Sequence, residues 1–247
     1  MHQKVEGIVL NAVTTGDNDR LCTILTDKLG VIAAYAKGAR NMKNKNFTAT
    51  AQFVYGRFDL FHHRSYYTLD ESEYEELNLG LRDDIVRLAV AQYLCQLAME
   101  LAPEGESAGE YLPVLRAAFY YLSGDTRDPQ LIKAAAELRL LSLSGYMPDL
   151  VMCASCGAYE HDRMYFLPAT AQIKCDNCAP GGGKGGLPLS RGALTAMRHA
   201  VLSDVRKLYA FSLSGESLEQ FYRASEAFAL SKLEKRLTTL AFLRTLL

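Results

Sequence analysis

Two pairs of cysteines constrain the folding of this chain more than any other feature of its sequence. Cys153 and Cys156 form one C-x2-C pair, Cys175 and Cys178 form a second, and eighteen residues separate the two pairs. This spacing is typical of zinc sites. Two residues between thiolates let one tight turn aim both sulfurs at a single ion, and two such turns complete a tetrahedron. We therefore predict that the four cysteines bind one structural Zn²⁺ ion within an insert over residues 150–180.

Three other chemistries use cysteine pairs: two disulfides, a redox dithiol and an iron–sulfur centre. Residues 1–7 lack the apolar segment of a secretory signal, so we expect a cytoplasmic protein, and disulfides are rare in that compartment. A redox C-x-x-C usually occurs once, within a thioredoxin-like βαβ pattern that we do not find here. Zinc is therefore favoured. Cys22 and Cys95 lie at apolar positions, where we expect buried side chains.

Residues 4–80 contain short runs of apolar and β-branched residues, a pattern typical of β-strands. Turn-forming clusters at residues 14–19 and 27–30 separate the first three runs. Five short strands in about 70 residues indicate a small barrel. We predict an OB-fold domain over residues 1–80, with an SH3-like barrel as the alternative. The predicted strands cover residues 5–13, 20–26, 31–37, 53–61 and 65–71.

From Asp83 onward, the apolar residues recur with the period of an α-helix. Asp83 or Asp84, Pro129 and Ser190 are typical helix-start residues. The predicted fold class is therefore α+β: an N-terminal OB-fold β-barrel followed by an α-helical domain over residues 81–247, which carries the four-cysteine zinc-ribbon insert. No apolar run reaches the roughly 18 residues of a membrane span, so we expect no membrane partner. The later helices are predicted at residues 110–122, 130–143, 190–202, 216–229 and 231–246.

The basic residues of the barrel region are concentrated in one segment. The formal net charge is −1, yet residues 37–64 carry six Lys or Arg residues and one acidic residue, Asp59. Aromatic rings alternate with these cations, and single-stranded nucleic acid needs both, because cations neutralise phosphates and rings stack on unpaired bases. We expect Phe53, Tyr55 and Phe61 to fill the barrel interior. The candidate DNA contacts from this segment are Lys37, Arg40, Lys43, Lys45, Phe47, Arg57 and Arg64.

The C-terminal part of the chain is also basic. Residues 181–247 carry ten Lys or Arg residues against five Asp or Glu residues. These cations fall among apolar positions with helical spacing, so one interpretation is the solvated face of an amphipathic bundle. The other interpretation is a second contact for nucleic acid or for an acidic peptide of a partner protein.

No motif in the sequence assembles a convincing catalytic site. Residues 105–109 match the G-x-S-x-G nucleophile elbow around Ser107, but that motif needs a preceding strand in a parallel sheet. Lys184 is followed by Gly185, so no phosphate-binding P-loop is present. Four cysteines would also close the zinc shell. We expect no enzyme. The alternatives left open are a zinc-dependent nucleic-acid hydrolase, a serine hydrolase using Ser107 and a zinc-ribbon transcription regulator.

Several strings of this sequence together resemble the RecO family of bacterial DNA repair and recombination mediators. The most specific string runs from Glu137 to Gly157, and it contains Gly145-Tyr146-Met147-Pro148-Asp149-Leu150 and Cys153-x-x-Cys156-Gly157. The resemblance covers nearly the whole chain. Further matches are residues 5–10, Asp19-Arg20-Leu21, residues 23–26, Gly30, residues 36–40 and Ser190.

The resemblance implies an OB-fold, a helical domain and a zinc insert, with Arg20, Lys37 and Arg40 at basic positions of the DNA-facing barrel. It implies binding of single- and double-stranded DNA and annealing of complementary strands in homologous-recombination repair of DNA damage. It also implies action with RecR to load recombinase onto strands coated by single-strand binding protein. Residues 41–46 are richer in Asn than the family's Arg-heavy loops.

The resemblance further implies a contact between the helical region and the acidic tail of single-strand binding protein. We hypothesise that Arg206 and Lys207 make this contact, because both lie in the basic C-terminal part of the chain. A protein with these partners is expected in the cytoplasm, in association with the nucleoid.

Overall fold

Five strands at the start of the chain form a closed barrel. The computed structural model describes residues 2–64, 66–233 and 235–247. The strand order is β1-β2-β3-β5-β4, with β4 pairing back to β1, and β3 pairs with β5 in parallel. This closed five-stranded arrangement confirms the predicted OB-fold barrel. The strands are β1 (His2–Thr15), β2 (Asp19–Thr26), β3 (Gly30–Ala36), β4 (Tyr55–His62) and β5 (Tyr67–Glu76).

The barrel encloses its own apolar core. Val5, Ile24, Phe58 and Leu60 are almost fully buried there, together with Cys22. Alternation along each strand explains this, because every second side chain of a strand points inward. Cys22 and Cys95 are both buried, as predicted, and burial raises the pKa of the Cys22 thiol to about 11.

Strand β5 is longer than the sequence pattern predicts. It runs from Tyr67 to Glu76 and therefore includes the acidic stretch of residues 70–76. Most of these acidic residues are exposed, and Glu73, Tyr74 and Glu75 are exposed in succession, so both faces of this end of the strand meet solvent. Arg57 of β4 stands opposite Glu73 of β5. The acidic stretch is therefore a solvated part of the strand that closes the barrel.

The first compact unit of the chain comprises the barrel, two helices and the last residues, that is residues 2–124 and 239–247. The helices are α1 (Ile85–Leu101) and α2 (Tyr111–Ser123). The Asp84 side chain caps α1 by accepting a hydrogen bond from the backbone N–H of Arg87. Phe53 and Tyr55 are buried against α2, and not in the barrel interior as predicted. Phe53 lies on Phe119 with ring centres 5.6 Å apart, and the Arg116 guanidinium lies 4.2 Å from the centre of the Tyr55 ring. Thr239 donates to the Gln96 side chain of α1 from its backbone N–H, at 3.1 Å.

The second compact unit covers residues 125–238. Asp128 and Ser190 cap its first and second helices. Its three-stranded sheet has the order β7-β6-β8 and carries the second cysteine pair at the end of β7. The elements are α3 (Pro129–Leu143), β6 (Met164–Leu167), β7 (Gln172–Cys175), β8 (Leu187–Leu189), α4 (Arg191–Leu202) and α5 (Gly215–Lys232).

The last helix is shorter than predicted. The pattern over residues 231–246 predicts one helix, but α6 covers only Thr238–Leu243. The change from strands to helices falls between Glu76 and Ile85, close to residue 80, whereas the two compact units divide at Gly124. Within the described ranges, none of the helices combines the length and the apolar character that crossing a membrane requires.

Candidate nucleic-acid interface and metal centre

The segment between β3 and β4 is built from asparagine-stabilised turns. We call residues 37–50 the Asn-rich loop. The side-chain oxygen of Asn41 accepts a hydrogen bond from the backbone N–H of Lys43 at 3.0 Å, and that of Asn44 accepts from Asn46 at 2.8 Å. The amide nitrogen of Asn44 donates to the Lys37 carbonyl at 3.1 Å. Asparagine favours such turns because its side chain reaches the nearby backbone. The asparagine side chains therefore stabilise the backbone conformation of this loop.

The Asn-rich loop is also anchored to the barrel. Asn46 is 4% exposed; its amide nitrogen donates to the Asp70 carbonyl at 3.1 Å, and its oxygen accepts from the Ser72 hydroxyl at 2.8 Å. The Arg20 guanidinium donates to the Phe47 carbonyl at 2.8 Å and to the Thr50 hydroxyl at 2.9 Å. A loop fixed in this way loses little conformational freedom when it binds a ligand.

Three of the predicted DNA contacts project from this loop into solvent. Lys37, Arg40 and Lys43 are exposed, and none forms an ion pair with a carboxylate of the described residues. The Arg40 guanidinium donates to the Asp17 carbonyl at 2.9 Å, which holds it beside the β1–β2 turn. These three cations keep their full charge for an anionic ligand.

Two other predicted contacts are paired with the acidic strand β5. The Lys45 ammonium forms an ion pair with Glu71, and its hydrogen bond and charge lower the pKa of that carboxyl. The Arg57 guanidinium lies 2.8 Å from a Glu75 oxygen and 4.0 Å from Glu73. Both cations are exposed but already neutralised. A phosphate would have to compete with these carboxylates, which weakens Lys45 and Arg57 as DNA contacts.

Of the three remaining predicted DNA contacts, one faces solvent and two are occupied by contacts within the protein. Arg64 is exposed at the end of the β4–β5 hairpin. Phe47 is half-buried, and the Arg20 guanidinium lies 5.0 Å from its ring centre. Arg20 is itself half-buried. Arg20 and Phe47 therefore hold the loop in place, while Lys37, Arg40, Lys43 and Arg64 face solvent.

Sequence reasoning missed a chain of aromatic rings at the β4–β5 hairpin. Tyr66 stacks on His63, with ring centres 4.5 Å apart, and meets Tyr35 edge-on at 5.8 Å. His63 contacts Phe61 at 4.7 Å, and Phe61 contacts His2 at 5.0 Å. Phe61 is half-buried on the outside, so the prediction that it fills the barrel interior is wrong. Phe61 lies near the end of β4 and His63 directly follows the strand; their spacing of two residues was the available signal.

A groove separates these rings from the Asn-rich loop. Its volume is about 630 Å³, and its lining includes the rings Phe61, His63 and Tyr66 together with Lys37 and Asn46 of the loop. We call it the aromatic groove. This volume lies within the range of about 300–1,000 Å³ that is usual for ligand pockets. Cations and rings thus meet at one place on the barrel surface.

The four paired cysteines converge in the second unit. Their sulfur atoms all lie within 4.8 Å of one another, and Cys156 Sγ is 3.6 Å from Cys175 Sγ. Zinc–sulfur bonds of about 2.3 Å in a tetrahedron separate neighbouring sulfurs by about 3.8 Å. The cluster therefore has the dimensions of a four-thiolate metal centre. Within the part of the chain that the structure describes, it is the only such group of three or more possible ligands.

Each cysteine pair lies on its own tight turn. The backbone N–H of Gly157 donates to the Cys153 carbonyl at 2.9 Å, and the N–H of Cys178 donates to the Cys175 carbonyl at 3.0 Å. Gly157 has a φ of 73°, a left-handed conformation that glycine adopts without strain. These two turns aim the four sulfurs at a common centre, which is the geometry that the C-x2-C spacing predicts.

The backbone around the cluster favours the metal-binding form of one thiol. Burial alone would raise the pKa of Cys153, but backbone N–H groups of Cys175, Cys156 and Ser155 lower it to about 6. Thiolates, not thiols, bind metals. The cluster is therefore a possible metal site by its geometry, and the surrounding backbone favours the thiolate form of Cys153.

The predicted partner-binding residues lie after α4. Arg206 is held by Asp204, whose carboxylate accepts hydrogen bonds from the guanidinium at 3.0 and 3.1 Å. These hydrogen bonds lower the pKa of Asp204 to about 2. Lys207 is exposed, and its carbonyl is 2.8 Å from the His199 ring nitrogen. Arg206 is thus partly neutralised, whereas the Lys207 ammonium faces solvent.

Ser107, considered above as a hydrolase nucleophile, has a structural contact. It lies in the loop between α1 and α2, and its hydroxyl donates to the Asp27 carbonyl at 2.7 Å. A nucleophile elbow sits between a strand and a helix. Ser107 instead ties this loop to the β2–β3 turn of the barrel.

Comparison with known proteins matches the chain over almost its whole length. The family model described as Recombination protein O N terminal matches residues 1–77, and the model described as Recombination protein O C terminal matches residues 82–241. The first match covers the barrel and the second begins just before α1.

Individual relatives agree with the family models. The DNA repair protein RecO of Symbiobacterium thermophilum is 35% identical over 245 residues, which cover 98% of this chain and 96% of the relative. The DNA repair protein RecO of Acetivibrio thermocellus is 33% identical over 243 residues, with coverage of 98% and 96%. The protein of the same name from Clostridium novyi is 26% identical over 233 residues, covering 94% and 90%. The chain therefore belongs to the RecO family of DNA repair proteins.

Proposed function

We propose that this protein is a non-enzymatic recombination mediator that binds single- and double-stranded DNA through its barrel. It anneals complementary strands and helps to load recombinase onto strands coated by single-strand binding protein. Its place of action is the nucleoid in the cytoplasm. The observation that carries this proposal is the Asn-rich loop, which presents Lys37, Arg40 and Lys43 on a fixed backbone, with no neutralising carboxylate among the described residues.

Electrostatics provide the annealing mechanism. Cations that neutralise phosphates on two strands reduce the repulsion between those strands, so that complementary bases can meet. No nucleotide needs to be consumed in this step. The acidic strand β5 lies on the same barrel and carries Glu71, Glu73 and Glu75. Like-charge repulsion would keep phosphates away from this strand, so the DNA would follow the loop and the adjacent hairpin.

Binding assays on DNA test this proposal directly. Fluorescence anisotropy of a labelled single strand and a labelled duplex is measured across a salt series for the wild type and for Lys37→Glu/Arg40→Glu. We expect salt-sensitive binding that the double substitution abolishes. Arg163→Glu/Arg191→Glu makes the same charge change at exposed residues of the second unit and serves as the matched control. Equal binding by both variants would remove the loop from the proposal, and no binding by the wild type would overturn it.

We propose that the four cysteines hold one structural Zn²⁺ ion. Four protein sulfurs complete its coordination shell, so the ion would brace the turns around the sheet β7-β6-β8 and leave no open position for catalysis. The Cys153→Ser variant should lose about one equivalent of zinc and melt at a lower temperature, because metal binding contributes folding free energy. Retention of both the zinc content and the melting temperature would refute the assignment.

RecR and the acidic tail of single-strand binding protein are the proposed protein partners. Holding these partners near DNA would raise the effective concentration of the loading machinery. Arg206 and Lys207 are the proposed contacts for the tail. Arg206→Glu/Lys207→Glu should weaken binding of a labelled acidic, Phe-ended peptide, with Arg163→Glu/Arg191→Glu again as the control. Unchanged peptide binding would move the contact elsewhere.

A further inference from the structure

The aromatic groove combines two chemistries that a single ligand class requires. Phe61, His63 and Tyr66 contribute rings to its lining, and Lys37 of the Asn-rich loop contributes an ammonium group. The Lys37 ammonium forms no ion pair with the described carboxylates, whereas Lys45 at the same groove is paired with Glu71. The positive charge of the groove is therefore concentrated at Lys37.

The rings are exposed to an extent that folding alone does not require. Tyr66 is 44% exposed and Tyr35 is 39% exposed, although the barrel core beneath them is complete. Their orientation is nevertheless defined, because Tyr66 stacks on His63 with an angle of 16° between the ring planes. The backbone N–H of His63 also donates to the Tyr66 carbonyl at 2.9 Å. The groove is thus bordered by oriented rings that remain accessible.

We propose that the aromatic groove binds unpaired bases of single-stranded DNA, with Tyr66 as the stacking platform and Lys37 as the contact for the adjacent phosphate. The inference rests on the proposed function and extends it by naming the site that selects single strands. A base in a duplex has both faces covered by its neighbours, so it cannot stack on a protein ring without leaving the helix. A single strand exposes these faces at no such cost.

The chemistry of the groove also sets its sequence preference. Every base has a π-face, so stacking on Tyr66 discriminates little between bases. The groove also contains Asp70, on the β5 wall. Its carboxylate repels phosphate, which favours a strand whose backbone runs along the Lys37 side. We therefore expect binding that depends on the presence of bases and depends weakly on their identity.

A tryptophan reporter provides the direct test, because the chain contains no Trp. The Tyr66→Trp variant carries one indole, placed at the proposed platform. Three oligonucleotides of equal length serve as probes: oligo(dT), an abasic strand with the same phosphates, and a duplex hairpin. We expect oligo(dT) to quench the fluorescence strongly and the abasic strand and the duplex to quench it weakly. Equal quenching by oligo(dT) and the abasic strand would overturn the inference.

Affinities measured by anisotropy complete the test. Tyr66→Ala should weaken oligo(dT) binding by roughly 5- to 150-fold, the range that corresponds to the loss of one base–ring stack. It should leave the duplex, the abasic strand and the salt dependence unchanged. Tyr66→Phe should bind as the wild type does. Tyr120→Ala removes a 68% exposed ring on α2 and should change nothing.

The inference and the proposed function fail in different ways. If the wild type binds oligo(dT) and Tyr66→Ala binds it equally well, the groove is not the stacking site, but the DNA-binding proposal stands. If the wild type binds neither the single strand nor the duplex, the proposed function itself fails. If Tyr66→Ala weakens oligo(dT) and duplex equally, the ring supports the surface without selecting single strands, and the inference is wrong.

Discussion

The guanidinium of Arg20 lies 5.0 Å from the centre of the Phe47 ring and donates a hydrogen bond to the carbonyl of the same residue at 2.8 Å. Both residues were predicted to touch DNA. In the structure they contact each other, and their joint effect is to fix the Asn-rich loop to strand β2. Arg20 would therefore influence DNA binding by positioning the loop.

Replacement of Arg20 tests this positioning role. Arg20→Met removes two hydrogen bonds and a cation–π contact, so we expect a loss of about 1–3 kcal/mol in the free energy of unfolding. DNA affinity should fall with it, because the loop loses its fixed conformation. Urea denaturation and anisotropy measure the two effects. Arg64→Met removes an exposed cation and should reduce DNA affinity without changing stability; equal stability losses would contradict the assignment.

Removal of a single carboxylate on β5 should strengthen DNA binding. Glu71→Gln releases Lys45 from its ion pair, and we expect affinity to rise by up to about fivefold, since an exposed ion pair competes only weakly with a phosphate. The salt dependence should steepen by about one unit of slope, because one more cation can contact phosphate. Glu219→Gln releases Arg223 on α5 in the same way and is the control. A gain in that variant alone would place the DNA on the C-terminal helices.

A buried ion network joins α3 to α5 within the second unit. Lys133 is fully buried, and its ammonium lies 2.7 Å from Glu137 and 2.9 Å from Glu226. Lys133→Met would remove this ammonium from beside two buried carboxylates, at a cost of about 3–5 kcal/mol in the free energy of unfolding. Adding Glu137→Gln and Glu226→Gln should recover most of that loss. Chemical denaturation measures both, and a mild effect of Lys133→Met alone would contradict this account.

Alkaline pH should destabilise the first unit through Tyr55. Burial and the hydrogen bond to Glu6 raise the pKa of Tyr55 to about 12, whereas an unfolded tyrosine ionises near about 10. The folded state therefore keeps this proton where the unfolded state loses it. The stabilisation is complete below about pH 10 and is lost as the pH rises towards about 12. Melting temperatures of the wild type should fall more steeply over this range than those of Tyr55→Phe; parallel curves would refute the assignment.

Local sequence signals predicted the elements of this fold well. Asp84 and Ser190 cap helices as expected, because a capping side chain needs only the backbone of its own first turn. The cysteine pairs were equally clear, since each turn is local and a four-sulfur cluster needs only two of them. The barrel followed from alternation and turn residues.

Contacts between residues far apart in the sequence could not be predicted from local sequence patterns. Lys133 and Glu226 are 93 positions apart, and no local sequence pattern predicts that they form an ion pair. The ion pairs of Arg57 depend on the β4–β5 register, which shifts between Asp59 and Leu60. A shift of one residue reverses which side chains meet across a strand pair. The aromatic groove depends on the same register, so its rings could not be assembled from the sequence alone.

The return of residues 239–247 to the first unit has a consequence for synthesis. Thr239 bonds to Gln96 on α1, and Leu240 and Leu243 are buried in that unit. A ribosome must therefore translate all of residues 125–238 before the segment that completes the first unit emerges. At about 5–20 residues per second, this delay lasts between about 6 and 23 s. For that time the nascent chain carries an unfinished barrel unit, and the apolar surface that Leu240 and Leu243 will cover stays open to chaperones.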